Sequence, residues 1–318
     1  MRNHTTITTF ILLGLTEDPY LQVLILIFLL ITYMLCISGN LTIIILTWAD
    51  AHLKTPMYFF LQNFSFLEIL LTTASIPRFM YSISTGDRTI TYTACFVQLF
   101  FIDFFTASEF FLLAIMSYDR YVAICKPLHY MTIMSIRVCR TMVICCWVIA
   151  VFIILPLFCL IVSLEFCDSN AINHFACDEL PLLEISCSDT WLAARMVTAC
   201  AGLIFITTLV CVVLSYISIM KTILKFPSAK QRKKAFSTCS SHMIVVSISY
   251  GSCIFIYIKT SGKEDVEINK SVSLLIASIS PMLSPFIYTL RNKQVKQAFI
   301  DLIKKIPFPP RNKVCLNS

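Results

Sequence analysis

Residues 116–125 read Met-Ser-Tyr-Asp-Arg-Tyr-Val-Ala-Ile-Cys, and they close a long apolar run that begins at residue 96. Within that run only Asp103 and Glu109 are charged. A run of this length can cross the hydrocarbon core of a bilayer as an α-helix, for which about 20 residues are needed. The adjacent charges of Asp119 and Arg120 then mark the point at which the helix leaves the membrane.

The whole chain is too apolar for a soluble domain, since 58% of its 318 residues are hydrophobic and only 14% are charged. Two apolar runs, residues 58–80 and 95–124, contain Glu68, Asp103 and Glu109, which we expect to face the protein interior because charges in hydrocarbon are costly. Five further intervals are free of charged residues and long enough to span a bilayer: 19–49, 141–164, 196–220, 235–258 and 271–290. The sequence therefore predicts an all-α membrane protein, a bundle of seven transmembrane helices.

The basic residues predict the orientation of this bundle. With the N-terminus outside, 18 of the 25 Lys and Arg residues fall in or beside cytoplasmic segments, as the positive-inside rule requires. The net charge of +7 therefore reflects membrane topology, and no nucleic-acid partner is expected. Asn3 begins an Asn-His-Thr glycosylation acceptor on the external side. The first apolar run is too long for a cleavable signal peptide and lacks a basic start, so we expect it to direct insertion itself.

We expect one domain: residues 1–20 form an extracellular N-terminus, 21–290 the helix bundle and its loops, and 291–318 a cytoplasmic helix and tail. The basic third internal loop, residues 225–234, is suited to a protein partner on the cytoplasmic side and to anionic lipid. Beyond the seventh span, apolar residues recur at helical spacing among lysines, which predicts an amphipathic eighth helix on the inner membrane surface. These apolar residues are Val295, Ala298, Phe299, Leu302 and Ile303.

Four cysteines lie on the predicted external side. Cys95 is at the outer end of the third span, and Cys167, Cys177 and Cys187 lie in the one long connection, residues 165–195. In an oxidising compartment such cysteines form disulfides, and four of them allow three pairings. No zinc-spaced Cys and His cluster, phosphate-binding glycine loop or nucleophile and base pair is present in the sequence, so we predict neither a catalytic site nor a metal site of these kinds.

Five motifs occur in order at the spacing of the predicted helices. Gly39-Asn40 lies in the first span, and Leu-Lys-Thr-Pro-Met-Tyr at 53–58 opens the second. The Asp-Arg-Tyr segment ends the third span, Lys-Ala-Phe-Ser-Thr-Cys-Ser-Ser-His at 234–242 begins the sixth, and Pro-Met-Leu-Ser-Pro-Phe-Ile-Tyr at 281–288 ends the seventh. Together they resemble the odorant receptors of class II, family 6, subfamily C, a branch of the rhodopsin-like G-protein-coupled receptors. The sequence departs from the family pattern at Ser284, where an Asn is usual.

This resemblance implies a function. Odorant receptors bind a small volatile organic ligand inside the helix bundle and activate a heterotrimeric G protein of the stimulatory olfactory type, which raises cyclic AMP. They are multi-pass proteins of the plasma membrane of olfactory sensory neuron cilia, and trafficking accessory proteins help them to the surface. A rhodopsin-like receptor for a non-odorant small molecule is an alternative. A membrane transporter is a weaker one, because neither inverted repeats nor interrupted helices are evident.

The resemblance also implies roles for individual residues. It pairs Cys95 with Cys177 and Cys167 with Cys187, which would hold the long loop over the bundle as a lid. Arg120 would bind Asp119 in one state and a G-protein helix in another, although an arginine here can also simply anchor a helix at the lipid interface. Three tyrosines would take part in the same inner-face rearrangement: Tyr121, Tyr216 and Tyr288.

Glu68 and Glu109 are expected to face one another in the bundle core, where two carboxylates cannot both stay ionised at low cost. One carries a proton, or a cation lies between them. Two interpretations stay open at this stage: a sodium or proton site that stabilises the resting state, and a hydrogen-bonded structural pair.

The ligand pocket is expected in the outer halves of the third and sixth spans, whose inward faces follow from helical spacing. We expect a small, mostly apolar site that suits a volatile compound with one polar group. Asp103 is the exception, since it can pair with an amine ligand, with a loop cation or with a water network; we favour the last two. The predicted lining is Asp103, Thr106, Ala107, Phe110, Tyr250, Cys253, Ile254 and Tyr257, with Ile102, Cys200, Ile204 and Ala277 added by the resemblance.

Overall fold

The computed structural model describes residues 7–167, 169–259, 266–291 and 293–305. Asn3, the predicted glycosylation acceptor, lies outside them. The short helices α4 (Tyr130–Ile133) and α6 (Glu179–Glu184) lie in connections, and α10 (Lys293–Lys305) follows the last long helix. The long helices are α1 (Pro19–Ala49), α2 (Pro56–Thr85), α3 (Tyr92–Cys125), α5 (Ile136–Val162), α7 (Trp191–Leu224), α8 (Ala229–Lys259) and α9 (Val266–Arg291).

These long helices are the predicted membrane spans. By length and composition, α1, α2, α3, α5, α7 and α9 each suffice to cross a membrane. Helix α8 is bent by 45° between its parts Ala229–Ser237 and Cys239–Phe255, and it gives a seventh span when the two parts are counted together. Most of the helices extend beyond the apolar runs, because a helix satisfies its own backbone hydrogen bonds and continues into the polar interface. The prediction of a seven-helix bundle is confirmed.

Local sequence explains where several helices begin and end. Pro56 opens α2, where its missing N–H costs nothing. The side chain of Thr91 accepts a hydrogen bond from the backbone N–H of Ala94 at 3.3 Å and so caps α3. Gly86 ends α2 with a φ of +75°, a left-handed conformation that glycine adopts without strain.

Helix α3 lies at the centre of the bundle, where it packs against α2, α5, α7 and α8. Helices α1 and α9 approach closely at Gly39, since a Cβ at this position would lie 2.8 Å from Cγ of Pro285. Pro285 has no N–H and leaves the carbonyl of Pro281, four residues earlier, without its helical partner. The side-chain amide of Asn40 donates to that carbonyl at 3.2 Å. The Gly39-Asn40 motif thus fits the proline motif of α9.

A small three-stranded sheet covers part of the outer face. Strand β1 (Thr9–Leu12) lies between β2 (Thr89–Thr91), to which it is antiparallel, and β3 (Ala171–Ile172), to which it is parallel. Phe10 on β1 is fully buried, and its ring centroid lies 5.3 Å from that of Phe166. The segment before the first span is therefore ordered against the long external loop, which the sequence did not predict.

Two segments were predicted to lie on the cytoplasmic side; one differs from its prediction in the structure, and the other forms as predicted. Only residues 225–228 separate α7 from α8, so the lysines at 230, 233 and 234 lie on the first turns of α8 and not in a loop. Helix α10 forms as predicted, with Val295 and Ala298 buried against the bundle. The hydroxyl of Tyr58 on α2 donates to Oε1 of Gln294 at 2.7 Å, which ties α10 to the bundle. The side chains of Leu302 and Ile303 lie outside the described residues.

Candidate ligand cavity and cytoplasmic switch

The long external loop is fastened to the bundle as a lid. The structure contains both disulfides that the resemblance implies, Cys95 with Cys177 and Cys167 with Cys187. Gln98 on α3 adds a second attachment, since its Oε1 accepts a hydrogen bond from the backbone N–H of Cys177 at 3.1 Å. Loop residues 174–178 are thereby held at the roof of a cavity.

The first cavity, of about 280 Å³, lies beneath this lid between α2, α3, α8 and α9. It contains six of the predicted ligand residues: Ile102, Asp103, Thr106, Phe110, Cys253 and Ala277. Glu68 and Glu109 also line it, together with His174 and Asp178 of the lid. The three acids predicted to face the interior, Glu68, Asp103 and Glu109, therefore border a common space.

A second cavity, of about 190 Å³, lies between α3, α5 and α7. Asp103, Thr106, Phe110 and Cys253 line both cavities, so the two share a wall at the outer half of α3. The predicted residues Ala107, Cys200 and Ile204 line the second cavity only. Apolar side chains that were not predicted complete it: Ile154, Leu157, Val197, Ala201 and Phe205.

The face of the sixth span that was predicted to line the ligand pocket includes a residue that the structure places outside it. Ile254 is 43% exposed on the outside of the bundle and lines neither cavity, because only a narrow arc of α8 faces inward at this level. Tyr250 is buried beside the cavity wall, with its ring 5.1 Å from Phe110 and 5.5 Å from Phe205. The side chain of Tyr257 lies outside the described residues. Ser249, which was not predicted, lines the first cavity instead.

Glu68 is 1% exposed and is held by the last span. The hydroxyl of Ser284 on α9 donates to its Oε1 at 3.0 Å, while Oε2 is buried without a hydrogen-bond partner among the described residues. Glu109 lies close enough to act electrostatically on Glu68. A serine at position 284 thus bridges α2 and α9 in place of the usual family asparagine.

Acids also meet at the lid. Asp103 and Glu179 line the second cavity together, and Asp103 and Asp178 lie close enough to act electrostatically on Glu179. Burial, and then the neighbouring carboxyls of Asp103 and Asp178, hold the pKa of Glu179 well above its usual range. Among the described ion pairs none joins a Lys or Arg to Asp103. Lys263 and the side chain of Lys259, in and beside the last external connection, lie outside the described residues, so the expectation of a loop cation stays a prediction. The loop contributes two more acids, Asp178 and Glu179, to the surroundings of Asp103. No spacing in the sequence could have revealed that these residues approach Asp103.

At the C-terminal end of α3, Arg120 is held against Asp119. Its Nε donates to Oδ2 of Asp119 at 2.9 Å, its Nη2 donates to the same oxygen, and the residue is only 7% exposed. The hydroxyl of Tyr130 on α4 donates to Oδ1 of Asp119 at 2.8 Å. Both carboxylate oxygens of Asp119 are therefore engaged, and the guanidinium is turned away from an approaching partner.

The predicted tyrosines surround this pair on three helices. Tyr216 on α7 shares a 2.5 Å hydrogen bond with Nδ1 of His242 on α8, and Tyr288 on α9 is 1% exposed. Tyr121 is partly buried, with Nζ of Lys126 5.8 Å from its ring. An apolar cluster closes the inner face between α3, α7 and α8: Ile124, Ile219, Ile223 and Cys239.

A cavity covered by a loop at one end of a seven-helix bundle and a buried arginine at the other end are the arrangement of a membrane receptor. The fold matches that of squid rhodopsin in its crystal structure, with a TM-score of 0.70 over 93% of this chain and 90% of that chain at 18% identity. The family model described as olfactory receptor matches residues 28–305.

Curated relatives agree with that match over nearly the full length. The chain is 71% identical to olfactory receptor 6C68 of Homo sapiens and 68% identical to olfactory receptor 6C2 of the same species, each over 97% of this chain and 99% of the relative. The chain belongs to the olfactory receptor family. Members of this family are G-protein-coupled receptors and not enzymes, as the sequence predicted.

Proposed function

We propose that this protein is an odorant receptor that binds a small volatile organic ligand in the two cavities beneath its lid. On binding, it activates a stimulatory olfactory-type G protein and raises cyclic AMP. One observation supports this proposal above all. The outer half of α3 borders a covered, largely apolar cavity, and the other end of the same helix holds the buried ion pair of Asp119 and Arg120, in a chain of this family.

The aromatic contacts beside the cavity give a route for coupling. Phe110 lines both cavities and touches Tyr250 edge to face, so a ligand that moves Phe110 acts on α8. Further along α8, His242 binds Tyr216, and Cys239 belongs to the apolar cluster that closes the inner face. A shift of α8 would therefore loosen the packing around Arg120. The ligand can drive this shift only by its difference in affinity for the two states.

We further propose that Glu68 and Glu109 hold a sodium ion or a shared proton, which stabilises the resting state. The unpartnered Oε2 of Glu68, the adjacent Ser284 and Glu109 supply the oxygen ligands that a hard cation prefers. No group of three or more His, Cys, Asp or Glu in the described residues could hold a metal ion. A sodium ion would thus complete its shell with hydroxyl and water oxygens.

The external N-terminus, the ciliary plasma membrane and the help of trafficking accessory proteins belong to the same proposal. The excess of basic residues on one side supports the orientation. Antibody labelling of an N-terminal tag on intact cells tests it, because the tag is reached without permeabilisation only if the N-terminus is outside.

The experiment for function is cyclic AMP measurement in cells that display the receptor, across a chemically broad odorant panel. Arg120→Ala at matched surface level is the test variant, and Arg137→Ala, on the cytoplasmic end of α5, is the charge-matched control. We expect a ligand-dependent rise that is lost in Arg120→Ala and kept in the control. A displayed receptor that stays silent to the whole panel would contradict the odorant proposal. A response that survives in Arg120→Ala would contradict the assigned switch.

A further inference from the structure

Acidic side chains stand in the otherwise largely apolar walls of both cavities. Glu68, Glu109, Asp103 and Asp178 line the first, and Asp103 and Glu179 line the second. Neither lining contains a Lys or an Arg among the described residues, and His174 is the one basic side chain present. If the neighbouring acids share protons in pairs, the described lining of this space carries more acidic than basic groups.

Two buried polar atoms that line the first cavity have no partner in the described residues. These are Oγ of Ser249, in a residue that is 8% exposed, and Oε2 of Glu68, in a residue that is 1% exposed. A buried polar atom left without a hydrogen bond is costly. Both atoms accept hydrogen bonds. Where a cation or proton occupies Glu68, as proposed above, Oγ of Ser249 is the atom left for a donor on the ligand.

Asp103 stands at the wall that the two cavities share. Glu179 lines the second cavity together with Asp103 and lies close enough to interact with it. The two carboxyls therefore share a proton or attract a cation, because two neighbouring carboxylates do not both ionise at low cost. With one shared proton the pair retains one negative charge. On the second cavity's side the neighbouring wall is apolar, formed by side chains such as Leu157, Val197 and Phe205.

We propose that the ligands of this receptor are small primary alkyl amines, with the ammonium group at Asp103 and the alkyl chain in the second cavity. This rests on the proposed function and specifies its ligand class. An alkyl amine is protonated at neutral pH, as lysine is, and its three N–H donors suit a site that is lined by carboxyl and hydroxyl oxygens. Burial of the chain against apolar walls adds affinity. A sodium ion between Glu68 and Glu109 is compatible with this placement, since Asp103 and Glu179 remain for the amine.

The test compares ligands of one carbon skeleton and different charge. Cells that display the receptor are given butylamine, hexylamine and octylamine, the corresponding primary alcohols, and the corresponding carboxylic acids. Cyclic AMP is recorded against concentration, with receptor-free cells as the background. Asp103→Asn at matched surface level is the test variant, and Asp87→Asn, an exposed acid in the first external connection, is the control for the same chemical change.

We expect an amine to act at concentrations about 10- to 100-fold lower than its alcohol, the range of one charge-assisted hydrogen bond in a buried site. Asp103→Asn should abolish this preference, so that the amine and its alcohol act at similar concentrations, and Asp87→Asn should keep the preference. If the alcohols act on the wild-type receptor at concentrations equal to or lower than those of the amines, the amine assignment is overturned and the odorant proposal remains. This comparison requires no variant. An amine preference that persists in Asp103→Asn overturns the assignment too. Silence to the amines, the alcohols, the acids and the broad odorant panel alike overturns both proposals.

Discussion

The hydroxyl of Ser284 donates a hydrogen bond of 3.0 Å to Oε1 of Glu68, which joins α9 to α2 in the middle of the bundle. The same hydroxyl lies 3.1 Å from the carbonyl oxygen of Ser280 on its own helix. One small side chain therefore provides the contact between two spans at a buried acid. The acid has no other side-chain partner among the described residues, because its second oxygen is unsatisfied.

Replacement of Ser284 by Ala should destabilise the receptor by about 1–2 kcal/mol, since both carboxyl oxygens of Glu68 would then be buried without a partner. Ser284→Asn keeps a donor and should stay close to the wild type. Thermal unfolding of the purified receptor in detergent measures this. Ser247→Ala is the control, because that exposed hydroxyl bonds only within its own helix. Equal unfolding temperatures for Ser284→Ala and Ser247→Ala would show that the bridge contributes nothing.

Replacement of Tyr130 by Phe should raise basal cyclic AMP. The change removes the 2.8 Å hydrogen bond to Asp119 and leaves that carboxylate less firmly placed against Arg120. A hydrogen bond of about 1 kcal/mol would shift the resting equilibrium about fivefold toward the open state. Tyr118→Phe, at an exposed position on α3, is the control at matched surface display. If basal signalling stays at the wild-type level, Tyr130 does not help to hold the closed state.

Replacement of Glu109 by Gln should raise basal cyclic AMP about fivefold if a sodium ion or proton between Glu109 and Glu68 stabilises the resting state. Exchange of external sodium for choline should raise the wild-type basal level in the same way and leave Glu109→Gln unchanged, if sodium is the occupant. The control variant is Glu184→Gln, at an exposed position in the lid. Unaltered basal signalling in Glu109→Gln would favour a purely structural pair.

The pH dependence of stability should carry a contribution from Glu179. Its pKa lies well above the usual range because of burial and of the adjacent Asp103 and Asp178, so the folded state holds this proton more tightly than the unfolded chain, where the pKa of Glu is about 4.3. The contribution is fully present below that value and is lost as pH rises through the folded pKa. Lowering the pH from about 8 toward 5 should therefore stabilise the receptor through this group.

Glu179→Gln resembles the protonated carboxyl at every pH. It should unfold at a higher temperature than the wild type near pH 8, and the difference between the two should shrink as the pH falls. Thermal unfolding across this range measures the effect, with Glu184→Gln again as the control. A difference that grows toward low pH would mean that Glu179 is ionised in the folded receptor.

The sequence determined the membrane spans and their number, because hydropathy is a local property of the chain. It left three pairings open for the four external cysteines, and the pairing that the structure contains was implied by the family resemblance. It also placed Arg120 next to Asp119, since residues that are adjacent in the chain remain adjacent in the fold. For the same reason the inward residues of α3 were predicted well, as helical spacing fixes which side chains share a face. On α8 the same spacing failed at Ile254, because the width of the inward arc depends on the neighbouring helices.

Only the tertiary structure decided which distant groups meet. The strand Thr9–Leu12 finds its partners in two different external loops, and the amide of Asn40 finds the carbonyl that Pro285 leaves free. The interaction between Asp103 and Glu179 joins a span to the lid across a long stretch of chain. Such contacts depend on how the helices pack and on how the disulfides place the loop, and no local pattern encodes them. The charge of the ligand cavity is therefore a property of the fold, although every acid in it is visible in the sequence.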